Sequence, residues 1–84
     1  MSENTPGYHL RPIQKGVLGE PSKIREELEE LEDALAQGVR LMALVEMSDL
    51  YGALKACAEK HGATMEDLRK MQEATARAFQ SGRR

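Results

Sequence analysis

The stretch from Val39 to Lys60 most constrains what this chain can fold into. It reads VRLMALVEMSDLYGALKACAEK, strong helix formers without proline, and its apolar side chains leave no continuous polar face. At 3.6 residues per turn they cover nearly the whole circumference. A helix apolar all round is a buried one. A chain of 84 residues has room for only one or two flanking helices. A domain of that size also buries a modest core by itself. The pattern therefore predicts an all-α protein whose second helix is covered by another subunit. The same segment nevertheless carries Glu46 and Asp49, three residues apart, about 60° apart on one side of the helix.

The flanking sequence supplies the other elements. Residues 1–21 hold all three prolines and three of the seven glycines and read as an extended N-terminal arm. Tyr8, Leu10, Ile13, Val17 and Leu18 are its candidate packing residues. Ser22 is a candidate N-cap, and the helical domain is expected over 22–84. In the first helix Ile24, Leu28, Leu31 and Leu35 form one stripe at spacings of 4, 3 and 4, and Gly38 ends it. His61-Gly62 is a stop signal for the second helix. Thr64 and Asp67 stand in capping-box register ahead of a third helix over about 65–80, and the final SGRR reads as a fraying end. The predicted architecture is an antiparallel helical hairpin plus a third helix, completed as a bundle by oligomerisation. There is no strand-like alternation.

Charge and composition remove several function classes. A net charge of −2 offers no electrostatic case for nucleic acid or an anionic membrane, and no apolar run reaches the length of a membrane span. Aromatic residues at 4% provide no base-stacking platform. One cysteine, Cys57, permits no internal disulfide, and the N-terminus lacks a signal-peptide pattern. A cytoplasmic location is expected. His9, Cys57 and His61 are scattered along the chain, so no zinc motif is legible.

Acidic residues pair in register on two helices. Glu27 and Glu30 are three apart, like Glu46 and Asp49, and Glu26 precedes Glu30 by about one turn. In an antiparallel hairpin the two pairs can face one another across the seam. Four carboxylates there repel, and burial makes the repulsion worse. A divalent cation removes the conflict, and hard oxygen ligands suit Mg²⁺ or Mn²⁺. The competing reading is a solvated acidic face, which EELEELED in isolation favours; the second pair, on a helix with little solvated face to spare, brings the two readings level. The residues alone leave both open.

EELEE at 26–30, a spacer of 15 residues, then EMSD at 46–49 resembles the EExxE…ExxD signature of the MazG-type all-α nucleoside triphosphate pyrophosphohydrolases. The stretch from Gly19 to Gly62, with Lys23 just ahead of the motif, is similar to the short MazG-like proteins of bacteriophages, and DLRKMQEATARAF continues the likeness less specifically. The resemblance implies antiparallel helices associating as a homodimer or homotetramer. It also implies hydrolysis of a nucleoside triphosphate, most naturally a deoxy one, to monophosphate and pyrophosphate. On it, the metal ligands fall on Glu27, Glu30, Glu46 and Asp49, and Glu26 takes the leading acidic position as base or supporting group. Many members of the family have a fourth helix or more, whereas three are expected from this sequence.

Phosphoryl chemistry asks for charge neutralisation, positioning and an activated water. Lys23 is the first choice for a phosphate-binding cation, ahead of Arg11, Lys15 and Arg77, and Tyr51 is a candidate for stacking on a base. The alternative expectation is a non-enzymatic helical adaptor of a phage that binds a partner through helix two and has no use for Glu46 and Asp49.

Overall fold

The computed structural model describes residues 9–80, so the expectations for Tyr8 and for the SGRR end lie outside the described residues. Three helices follow in order, α1 (Pro21–Gln37), α2 (Arg40–Lys60) and α3 (Met65–Gln80). No strand occurs among the described residues. Residues 9–20 form an irregular arm that runs along α1.

Each helix boundary has a local cause. Pro21 occupies the first helical position, where its missing N–H costs nothing. The N-cap is Glu20, not Ser22, and its side chain makes no capping bond. Ser22 lies inside the first turn, and its hydroxyl accepts the N–H of Val17 at 3.0 Å. Gly38 closes α1 in the left-handed region (φ 76°), donating its N–H to the Leu35 carbonyl at 3.1 Å. Only Val39 separates it from α2, so α1 and α2 must fold back antiparallel. The far end agrees, since Lys60 reaches Glu20 at 3.7 Å. Before α3 the Thr64 N–H donates to Asp67 Oδ2 at 2.9 Å, and the Asp67 N–H donates to Thr64 Oγ1 at 3.1 Å. The capping box is formed, with Asp in the usual place of Glu or Gln.

The hairpin seam is unusual in what it buries. Its buried apolar residues are small, Ala34, Ala43, Ala53 and Ala58, joined by Ile13 from the arm. Alanines let the two backbones approach closely, and the space beside them is taken by Glu26, Glu27, Asp33 and Glu46, all buried. The leucine stripe of α1 is only partly used: Ile24 and Leu31 are half-buried, whereas Leu28 and Leu35 are 43% and 57% exposed. On α2 the outward side shows Leu41, Leu44, Val45, Met47 and Tyr51. In the arm, Leu10, Val17 and Leu18 are also exposed. Thus helix two is apolar all round, as its sequence indicates, and this chain covers one side of it.

Among the described residues α3 buries nothing. It leaves the hairpin rather than packing along it. The radius of gyration, 15.5 Å, exceeds the roughly 12 Å of a compact chain this long. No helix among the described residues is long and apolar enough to cross a membrane.

Candidate functional site

The two acidic pairs meet across the seam. One carboxylate oxygen from each of Glu27, Glu30, Glu46 and Asp49 lies within 4.8 Å of all the others. Glu27 and Glu46 are buried, Glu30 is half-buried and Asp49 is exposed, so the cluster opens to solvent on the Asp49 side. This is the arrangement expected when i and i+3 positions of two antiparallel helices are set face to face.

Electrostatics mark the cluster as a place where negative charge is held at a cost. Burial raises the Glu30 carboxyl to about 8, and the charges and hydrogen bonds of Glu27, Glu26 and Glu46 push the same way. Glu27 is also raised, by burial first, with Glu26 and Asp49 adding to it and Lys23 opposing. Glu27 Oε1 is buried and accepts no hydrogen bond. An orphaned, nine-tenths buried carboxylate oxygen beside three other acids is a position that a cation would satisfy.

Lys23 and Glu26 border this cluster. The Lys23 ammonium stands 3.1 Å from Glu26 Oε1 and 3.3 Å from Glu27 Oε2. Burial opposes its charge, but the two carboxylates outweigh that and hold its pKa above the ordinary lysine value. Glu26 is buried, and its Oε1 accepts the Gly16 N–H at 2.9 Å, while its Oε2 faces Lys15 Nζ at 3.5 Å. Burial works against ionisation of Glu26, yet the Gly16 amide and Lys23 prevail and lower its pKa. Gly16 is required for this contact. A Cβ there would meet the backbone carbonyl of Ser22 at 2.2 Å, too close for any side chain.

The arm contributes a residue that the linear sequence left isolated. His9 Nε2 lies 3.4 Å from Glu30 Oε1 and 4.0 Å from Glu46 Oε2, and His9 Nδ1 lies 3.4 Å from Asp33 Oδ1. His9 is therefore not scattered away from the acids, contrary to the sequence reading. Asp33, also missed, anchors it: the buried carboxylate accepts the Leu10 N–H and, at 2.7 Å, the Gln37 side-chain amide. Burial disfavours its charge, but Gln37, Leu10 and His9 together lower its pKa. The one available signal was Asp33 at the i+3 position from Glu30, on the acidic flank of α1.

Other candidates are placed less centrally. Arg11 pairs with Glu29 at 3.1 Å, on the outer side of the arm. Arg77 is exposed on α3. Tyr51 follows Glu46 by five positions, about 140° around α2, and is 56% exposed. It lines a shallow groove with Leu54, Met65 and Leu68 instead of facing the acids. His61 Nδ1 donates to the Cys57 carbonyl at 2.9 Å, closing the last turn of α2 as its position suggested.

Comparison with protein-family models, with curated proteins and with solved structures found no match.

Proposed function

We propose that this protein is a Mg²⁺-dependent hydrolase of nucleoside triphosphates, deoxy or ribo, releasing pyrophosphate and leaving the monophosphate. The observation that carries the reading is the convergence of Glu27, Glu30, Glu46 and Asp49 within 4.8 Å, with Glu27 Oε1 buried and without a hydrogen bond. The spread fits the donor set of a hard cation. Opposite ligands around Mg²⁺ stand about 4.2 Å apart and adjacent ones about 3 Å, so the four oxygens span little more than one octahedral shell and would draw together on a bound ion. The likeness of EELEE…EMSD to the MazG-type signature narrows a metal site to triphosphate chemistry.

A bound Mg²⁺ (or Mn²⁺) would offset the buried carboxylates and polarise the triphosphate oxygens. The chain's own residues do the rest. Asp49, the exposed member, marks the open side on which a triphosphate enters. Lys23 is held by Glu26 and Glu27, one turn ahead of Glu27, where it can neutralise charge on the phosphate chain. Glu26 is committed to Gly16, Lys23 and Lys15, and its lowered pKa makes it a poor proton acceptor. Its role is to fix Lys23 and the arm. Water attacks the α-phosphorus, the bond to the bridging oxygen breaks, and pyrophosphate departs with that oxygen.

The functional unit is a homodimer or homotetramer. With alanines and acids in its seam and Leu28, Leu35, Leu44 and Met47 outside, a single chain leaves apolar surface that a second copy would cover. The same surface also favours a second reading, a helical adaptor that docks another protein. Purified protein incubated with each dNTP and Mg²⁺ separates them. Pyrophosphate release supports the hydrolase, orthophosphate release indicates a different phosphatase, and no turnover of any nucleotide favours the adaptor.

A further inference from the structure

We propose that His9 turns the four-acid cluster into a two-metal centre, in which His9 Nε2, Glu30 and Glu46 hold a second divalent ion of the first transition row. The inference rests on the metal-site reading above and adds a ligand and a metal class to it. One atom each from His9, Glu30 and Glu46 lies within 4.8 Å of the others. This group overlaps the four acids only at Glu30 and Glu46, so it describes a neighbouring position sharing two carboxylates. Carboxylates shared in this way commonly bridge paired ions about 3.5–4 Å apart.

Geometry and donor chemistry support the second position. Ligand atoms in adjacent octahedral positions stand about 3 Å apart and opposite ones about 4.2 Å. His9 Nε2 lies 3.4 Å from Glu30 and 4.0 Å from Glu46, between those limits. The other ring nitrogen faces the buried Asp33 at 3.4 Å. A histidine that ligates a metal characteristically turns its second nitrogen to a carboxylate, which fixes ring and tautomer. Asp33 is itself locked by the Leu10 amide at 2.9 Å and by Gln37 at 2.7 Å, so the ring is held at both ends. An imidazole nitrogen is a poor donor for Mg²⁺ and a good one for Mn²⁺, Co²⁺ or Zn²⁺. The ion on the His9 side is therefore a transition metal, and the all-oxygen position is the one open to Mg²⁺.

Mn²⁺ is the probe. Equilibrium titration followed by electron paramagnetic resonance gives the number of ions bound per chain. Electron spin-echo modulation reports directly on ¹⁴N of a coordinated imidazole. The expected result is two Mn²⁺ per chain with nitrogen modulation. In His9→Ala one Mn²⁺ should remain and the modulation should vanish, while His61→Ala should keep both. Melting of each variant without metal checks that the hairpin is intact. One Mn²⁺ bound by oxygen alone in the unaltered protein overturns this inference and leaves the four-acid site standing. No Mn²⁺ bound overturns the metal-site reading as well.

Discussion

The backbone N–H of Leu10 donates to both carboxylate oxygens of Asp33, at 3.1 and 2.9 Å, across 23 residues of sequence. This fork ties the arm to α1 and sets His9 beside Glu30. Asp33→Ala should release the arm and leave the hairpin folded. A buried, charge-assisted hydrogen-bond set of this kind contributes on the order of 2 kcal/mol. The melting temperature should fall, and amide exchange at Leu10 should accelerate far more than exchange in the middle of α2.

Gly16→Ala should have a related but stronger effect. Its Cβ would stand 2.2 Å from the Ser22 carbonyl oxygen, so the arm must move and Glu26 loses an amide donor. The variant should melt lower than the wild type. Gly52→Ala, where nothing lies within 4 Å, should be neutral or slightly stabilising, because alanine favours the helix by about 1 kcal/mol.

The metal-free protein should lose stability as pH rises from about 5 to 8. Burial and neighbouring acids raise Glu30 to about 8 in the folded chain, from an ordinary value of 4.5. The folded state then binds more protons than the unfolded one across that interval, and stability declines with pH. Saturating Mg²⁺ should flatten or reverse the slope. Calorimetry in buffers of different ionisation enthalpy should show proton release on metal binding at pH 7.

Leu44→Glu should give a smaller particle in light scattering. Leu44 stands on the outward side of α2 and shares an apolar groove with Leu35 and Met47, the surface a second copy would cover. An unchanged mass would place the contact between subunits elsewhere.

Much of the hairpin can be read from local chemistry. Gly38, His61-Gly62 and the Thr64–Asp67 box each act within a few residues, and the helix limits follow from them. The pairing of Glu27 and Glu30 with Glu46 and Asp49 is also legible, because a short connection after Gly38 forces an antiparallel return. Which face of α1 turns inward is less so. Leucine spacing favours the Leu28–Leu35 side, but both leucines are exposed, and the alanines on the inward side leave room for acids. His9 and Asp33 escape a linear reading, since their contact depends on an irregular arm whose course is set by Gly16 and Ile13. Lys23 shows the same limit. Taken as an exposed side chain, it should matter to catalysis and little to folding. Resting on two buried carboxylates, it should affect both, so Lys23→Ala should also lower the metal-free melting temperature.

On the proposed function, the buried carboxylates are there to hold a cation. Glu46 tests it best, because it is fully buried, whereas the exposed Asp49 bears less of the repulsion. Melting curves of the wild type and Glu46→Gln, with and without Mg²⁺, are the decisive measurement. Without metal the variant should melt at or above the wild type, since one negative charge is gone and the shape is kept. Added Mg²⁺ should raise the wild-type melting temperature through linkage and shift the variant much less. A variant that melts lower, beside a wild type indifferent to Mg²⁺ and Mn²⁺, would contradict the account.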